Sequence, residues 1–324
     1  MFKNKRVLVT GSTGLVGRKV VDLLLAKGAE IQTVSLDDAH VLSDVYRLHH
    51  NMGDLCDFEF CQMLTEHVDY VFHIAGIKGG VGVTLSHPAS MFIPCVQMNT
   101  NILEACRINN VEGILFVSSV GAYAPAPVLR EDNPEGEPMD SYPGWAKRTA
   151  EKQIFAYRAQ YGLHNFHIVR PTNVYGEGDN FDPDNAMVIP SLLAKILRGD
   201  KPVVVWGDGS PVRDFVYSGD VAQGIIDAMR YGTGETFLNL GGAKSYSIYQ
   251  LILILRSFLD FDFLFDMTKP SGYPKRVMDS SLARKLIGYK PETSLVDGLM
   301  KTFSWLKQHP DEHLKKQNYF RGLK

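Results

Sequence analysis

Cysteine is scarce in this chain, with four residues in 324: Cys56, Cys61, Cys95 and Cys106. They form no C-x-x-C pair and no Cys/His ligand set. That excludes a disulfide-stapled scaffold and a zinc site, and points to reduced thiols in a cytoplasmic protein. Long apolar runs are also missing. The most apolar stretch, Leu251–Leu255, stops at Arg256, far short of the roughly 20 residues that a bilayer span needs. Met1 to Arg6 is polar, so no export segment is expected. Neither charge sign is in excess: 34 Lys+Arg against 36 Asp+Glu leaves a net −2. Nucleic acid and anionic membranes are therefore not expected partners. The basic residues Lys315, Lys316, Arg321 and Lys324 read as a solvated end. No internal repeat or low-complexity tract is present.

What the chain does have is 45% apolar residues and enough length for one large or two modest domains with a real core. Runs rich in Val, Ile and Phe alternate with amphipathic segments of helical length. Strands are expected over Arg6–Thr10, Glu30–Leu36, Tyr70–Ile74, Gly113–Ser118 and Asn165–Arg170. Helices are expected over Val16–Ala26, Phe58–His67, Cys95–Asn109 and Trp145–Tyr161. This alternation predicts an α/β fold with a doubly wound parallel sheet of the Rossmann type, assigned to residues 1–172. After Pro171, clusters of Gly, Pro, Asp and Asn surround one helix, Met187–Leu197. Residues 173–324 are assigned mainly to a smaller substrate-binding lobe. Segments around 203–240, with strands Val203–Trp206 and Thr236–Leu240, are expected to return to the first domain, so the lobes interleave. The remaining helices are expected over Val221–Arg230, Ile248–Leu259 and Ser294–Gln308.

The first strand runs into Gly11-Ser12-Thr13-Gly14-Leu15-Val16-Gly17, a G-x-x-G-x-x-G spacing between a strand and a helix. Gly11 permits the tight turn, Gly14 lets a pyrophosphate approach the helix N-terminus, and Gly17 lets helix and strand pack closely. Thr13, Leu15 and Val16 belong to the same cradle. The second strand ends at Asp37-Asp38. A carboxylate there accepts hydrogen bonds from both ribose hydroxyls and repels a 2′-phosphate, although two acids in an ordinary loop would look the same. No arginine lies in the glycine turn or just after the second strand, so NAD(H) is expected rather than NADP(H).

On these residues the chain resembles the extended short-chain dehydrogenase/reductases of the NAD-dependent epimerase/dehydratase family, over nearly its whole length. The resemblance implies that Asp54-Leu55 meets the adenine, that Ala75 and Gly76 line the cofactor with Asn99 behind them, and that Ser119 and Lys147 are catalytic. Tyr123 stands four residues beyond Ser119, matching the family's S-x-x-x-Y spacing. Within the family the chain is most similar to the GDP-fucose synthases. The residues that carry this are Gly79-Gly80-Val81, Pro171-Thr172-Asn173-Val174-Tyr175-Gly176, Asp179-Asn180-Phe181, Val188-Ile189-Pro190, Val205-Trp206-Gly207, Arg213-Asp214-Phe215 and Lys269-Pro270-Ser271-Gly272. That resemblance implies cofactor contacts from Pro171, Asn173 and Val174. It implies substrate contacts from Lys78, Gly79, Ser119, Tyr142, Asn173, Asn180, Val188, Lys195, Trp206, Arg213 and Lys269. Arg213 can chelate a diphosphate with its planar fork, or be a surface arginine paired with Asp214. Lys195 can lie near phosphates or in solvent, and Trp206 can cover the base or sit in the core.

Three departures from the family pattern stand together. The catalytic Tyr-x-x-x-Lys has proline at position 143, four before Lys147, and its tyrosine one residue early, at Tyr142. The cysteine and histidine that fucose synthases use for double epimerisation correspond to Gly121 and Met187, neither of which exchanges protons. Double epimerisation is therefore not expected. Tyr142 swinging into place from a helix that begins at Pro143, or Tyr123, or a water on Ser119, would have to move the proton. The expected activity is NAD-dependent oxidation or reduction at C4 of a nucleotide sugar, GDP-linked hexose or heptose being favoured. A 4-epimerase or 4-keto reductase is the alternative, and a non-catalytic binding protein the second. A homodimer is expected through helices Cys95–Asn109 and Trp145–Tyr161, whose Ile154, Phe155 and Tyr157 supply an apolar face or pack on the chain's own sheet.

Overall fold

The computed structural model describes residues 1–38, 49–77, 79–182, 185–269 and 271–315. Strands β1 (Arg6–Thr10), β2 (Glu30–Ser35), β3 (His50–Met52), β4 (Tyr70–His73), β5 (Gly113–Val117), β6 (Phe166–Pro171) and β10 (Leu238–Leu240) form one seven-stranded sheet in the order β10-β6-β5-β4-β1-β2-β3. Every pairing in it is parallel. A parallel sheet is apolar on both faces because its crossovers put helices on each. Val7, Leu8, Val9, Ile114, Leu115 and Phe116 are accordingly fully buried.

One face is covered by α2 (Phe58–Thr65), α4 (Pro88–Ile108) and α5 (Ser141–Tyr161), and the other by α1 (Leu15–Ala26), α7 (Ser218–Tyr231) and α9 (Ser281–Ile287). The short α3 (Val81–Ser86) precedes α4. Strand order reverses direction between β1 and β4. That reversal opens a crevice at the strands' carboxyl ends, where open α/β sheets bind ligands.

The chain leaves the sheet after Pro171, where Thr172 N donates to Leu240 O at 3.2 Å. The second lobe has its own core, built from α6 (Val188–Arg198), α8 (Ile248–Arg256) and α10 (Leu295–Gln308) with small sheets. Strands β7 (Asn173–Tyr175), β11 (Ser245–Ser247) and β13 (Lys275–Arg276) all pair with β9 (Val212–Tyr217), while β8 (Val203–Trp206) pairs with β12 (Phe263–Asp266). Of the two strands expected to rejoin the large sheet, Leu238–Leu240 does. Val203–Trp206 instead finds the apolar strand 60 residues downstream, in register from Val203↔Phe263.

Two helix starts also differ from expectation. Helix α5 begins at Ser141, so Pro143 is its third residue, not its first. The first four helical amides have no intrahelical acceptor, so a proline there sacrifices no hydrogen bond. Helix α4 begins at Pro88 and runs through Pro94. Ile154 faces the chain's own core at 0% exposure, whereas Phe155 and Tyr157 only pack against that core from its edge. Among the described residues no helix is long and apolar enough to cross a membrane.

Candidate active site

The glycine turn is built by contacts that exclude side chains. Gly11 has φ +67°, and a Cβ on Gly17 would stand 2.1 Å from the Gly11 carbonyl oxygen. Gly14 is the N-cap of α1 and offers no side-chain cap, so the first amides of the helix, from Leu15 and Val16 on, point outward without a protein acceptor of that kind. A Cβ at Gly14 meets only Gly11 O, at 3.2 Å, so its outer side is open. Thr13 Oγ1 donates to Asp37 Oδ2 at 2.7 Å, which fixes that carboxylate beside the turn. Asp38 is exposed next to it. Asp54 is tied to its own loop, accepting from Cys56 N at 2.9 Å, and Leu55 is buried.

The turn after β4 is held by a buried relay. Thr10 Oγ1 accepts from Ile74 N and Ala75 N, each at 3.1 Å, so its own hydrogen goes to His73 Nδ1 at 2.8 Å. His73 Nε2–H then donates to Asn99 Oδ1 at 2.9 Å. Burial pulls the His73 imidazole down to about 3, consistent with this neutral tautomer. The buried Nδ2 of Asn99 has no partner among the described residues. The outward helix amides, the open Gly14 and this spare donor are what a bound dinucleotide requires, so the residues fit NAD.

Ser119 follows β5, and its Oγ accepts from Gly121 N at 3.1 Å. Lys147 Nζ donates to Val117 O at 2.8 Å, and a Cβ on Gly76 would lie 3.4 Å from it. Burial lowers the ammonium's pKa, while Cys95 and Glu151 oppose that shift. Beneath lies a buried ion pair. Arg170 donates to Glu151 through Nε at 2.8 Å and Nη2 at 2.5 Å, and Ser118 Oγ donates to Oε1 at 2.5 Å. The guanidinium sits in the corner of the edge-to-face pair Phe237 and Tyr123, 3.8 and 4.3 Å from their centroids.

Tyr123 is thereby removed as a proton relay. It is 3% exposed, its hydroxyl donates to Asn239 Oδ1 at 2.8 Å, and burial raises its pKa. Tyr142 is 49% exposed and its ring leans on Phe92 at 5.9 Å. Five residues before Lys147, it lies roughly 140° away around the helix, so it needs a side-chain rotation to reach the lysine.

Across the crevice, β9 and β13 place Arg213 and Arg276 opposite each other in register. Of this pair only Arg276 hydrogen-bonds Asp140, while Arg213 Nη1 donates to Val212 O at 2.9 Å. Arg276 donates to Asp140 Oδ2 at 3.0 Å and also to Oδ1. Arg213 is pulled down to about 10, first by burial and then by Arg276, with Asp140 opposing. It is thus not the surface partner of Asp214. Trp206 is 48% exposed with Lys269 Nζ 5.8 Å from its ring, so it is no core tryptophan.

Several expected contacts are already spent on the protein. Asn173 Nδ2 donates to Asp214 O at 2.9 Å, and Asn180 Oδ1 accepts from Asp182 N at 3.0 Å. Lys195 Nζ donates to Val204 O at 2.7 Å, fastening α6 to β8 instead of lying in solvent. Val188 opens α6 and is partly buried, as is Gly79, whose Cβ would meet Asn185 Oδ1 at 3.2 Å. Pro171 and Val174 flank the crossing between lobes. Lys78, Pro270, Lys316, Arg321 and Lys324 lie outside the described residues.

The model of the NAD dependent epimerase/dehydratase family matches residues 7–241. The chain belongs to this family. It is 32% identical over 319 residues to GDP-L-fucose synthase 1 of Arabidopsis thaliana, covering 94% of this chain and 93% of that protein. It is 29% identical over 323 residues to dTDP-4-dehydro-6-deoxy-D-allose reductase of a Streptomyces species, covering 95% and 98%. Among solved structures it is similar to UDP-glucose 4-epimerase of Thermotoga maritima, crystallised with UDP-glucose. There the TM-score is 0.81 at 25% identity, covering 94% of this chain and 99% of that one.

Asp140, Arg276 and the Arg170–Glu151 pair escaped the sequence reading. Each depends on partners far apart in the chain, and only Glu151, one turn beyond Lys147 on the same helix face, left a local signal. Asp214 is a further member of this epimerase/dehydratase chain's interior. Its Oδ1 accepts from Gly242 N at 2.8 Å, while the buried Oδ2 has no partner among the described residues. Burial pushes the carboxyl up to about 7, opposed chiefly by the Gly242 amide.

The folded state therefore keeps a proton that the unfolded chain gives up near pH 4. Its stability contribution is complete below that pH and is lost as pH rises through about 7. Urea unfolding is expected to show stability falling between pH 5 and pH 7, by up to about 1.4 kcal/mol per pH unit. Asp214→Asn is expected to remove that part of the slope; an unchanged slope would assign it elsewhere.

Proposed function

We propose that this chain is an NAD-dependent oxidoreductase that acts at C4 of a nucleotide sugar, a GDP-linked hexose or heptose being favoured. One observation carries the reading: the glycine cradle, Ser119 and Lys147 share the carboxyl edge of the sheet, and Arg213 and Arg276 face them from the second lobe. A dinucleotide takes one side and a glycosyl diphosphate the other. The GDP preference draws on the GDP-L-fucose synthase of Arabidopsis thaliana, and the NAD preference on the Asp37 carboxylate held by Thr13.

Bound NAD would supply the acceptor or donor of the C4 hydride. Lys147 sets a positive charge where the C4 oxygen gathers negative charge. Ser119 holds that oxygen, and in the oxidative direction the C4 hydroxyl proton passes through the Ser119 hydroxyl and that of an inward-rotated Tyr142 to water. Trp206 and Lys269 provide a flat, cationic wall for the base, and Asn173 and Asn180 border the sugar. Gly121 and Met187 supply no exchangeable proton, which favours a single redox step over double epimerisation. The exposed Ile93 and Ile108 on α4 and Tyr161 on α5 support a homodimer through this helix pair. The free thiols support a cytoplasmic location.

Incubation with NAD and a panel of GDP-, UDP- and dTDP-sugars is expected to raise absorbance at 340 nm with one of them and yield a product two mass units lighter. Binding without turnover on the whole panel would leave the non-catalytic reading standing. With the responsive sugar, Tyr142→Phe is expected to lower kcat by about 10²–10⁴ with little change in KM. A loss below about five-fold would transfer the proton to a water on Ser119.

A further inference from the structure

Asp140 stands at the N-cap of α5 yet caps nothing: its side chain accepts no helix amide. Both carboxylate oxygens go instead to Arg276, 136 residues away in the other lobe. The seat for this carboxylate exists because residue 121 is glycine. A Cβ there would stand 2.1 Å from Asp140 Oδ2 and 2.7 Å from its Cγ. Gly121 lies two residues beyond Ser119, so the carboxylate hangs over the turn that carries the serine.

The charge balance is uneven. Arg276 holds the one carboxylate, its register partner Arg213 donates only to Val212 O, at 2.9 Å, and Arg276 Nε is buried without a partner among the described residues. The Arg276 side chain is 13% exposed and that of Asp140 34%, so the pair is reachable from the crevice yet partly shielded from solvent. One carboxylate can satisfy one fork. A diphosphate, with more oxygens and more charge, can satisfy both.

We propose that Asp140 is an internal stand-in for the substrate's diphosphate, a gate that holds Arg276 across the two lobes until a nucleoside diphosphate displaces it. The proposal deepens the nucleotide-sugar reading above and rests on it. Displacement costs the incoming ligand one ion pair, so Asp140 lowers affinity for weakly charged ligands and admits only those that engage both arginines. It is a positioning residue acting through Arg276.

Titration calorimetry of the full-length chain with GDP, UDP and dTDP tests it. Asp140→Asn keeps the shape and one acceptor for Arg276 while removing the charge, and no helix cap is lost with it. The best-binding nucleotide is expected to bind Asp140→Asn roughly five- to ten-fold more tightly than the wild type. Arg276→Gln is expected to bind it more weakly, and in the Asp140→Asn/Arg276→Gln double variant the gain from the first change should vanish. Unchanged or weaker binding by a folded Asp140→Asn overturns the gate, because the carboxylate then organises the arginines and does not compete for them. A gain that persists without Arg276 overturns it too, since the effect is then general repulsion. Absence of binding by all three nucleotides to every variant removes the nucleotide-sugar reading itself, and the gate with it.

Discussion

Gly17→Ala is expected to abolish NAD binding and to destabilise the protein. The added Cβ would stand 2.1 Å from Gly11 O, 2.9 Å from Gly11 C and 2.9 Å from Ser12 Cα. All three are backbone atoms of the turn, which cannot rotate aside as a side chain can, so helix α1 has to move off β1. Overpacking of this kind costs about 1–3 kcal/mol or more. Gly14→Val separates the two effects. Its surroundings leave room for a folded protein, but the side chain fills the space over the helix N-terminus where a pyrophosphate sits. Thermal unfolding should show Gly14→Val near the wild type and Gly17→Ala well below it. Calorimetry with NAD should show at least a hundred-fold loss of affinity, on the order of 2.7 kcal/mol, in both. Unchanged affinity in a folded Gly14→Val would place the cofactor elsewhere.

Arg170→Met should have the second large effect. Glu151 is 2% exposed and Arg170 5% exposed, so removing the guanidinium strands a carboxylate among Ser118, Tyr123 and Phe237. Breaking a buried pair from one side costs about 3–5 kcal/mol, whereas replacing both members with apolar groups of similar volume can be neutral. Denaturant unfolding is therefore expected to show a large loss for Arg170→Met and recovery of most of it in Arg170→Met/Glu151→Leu. The double variant should regain stability without regaining turnover, because Ser118, next to Ser119, loses its acceptor and Lys147 loses the opposing charge of Glu151. A single variant as stable as the wild type would mean that the pair contributes nothing net.

The sheet and its glycine turn were legible because their signals are local. Alternating strand and helix periods and three glycines at fixed spacing occur within a few residues of one another, and the turn they specify forms wherever that segment folds. The helix starts were less legible. Proline reads as a break in a helical pattern, yet Pro143 falls among the amides that need no partner and Pro94 is carried inside α4. Tyr123 matched a motif spacing. Its environment, though, is set by Asn239 and Phe237 on and beside β10, more than 110 residues away.

The chain's sequence by itself determined the α/β architecture and the tight glycine turn between β1 and α1, because period, turn chemistry and side-chain type act over short separations. Tertiary structure alone decided which strand β8 pairs with, that Tyr123 is buried, and that Asp140 meets Arg276 over Gly121. Those outcomes depend on which distant surfaces exclude water together, and no local pattern encodes a contact whose two halves are separated by a lobe.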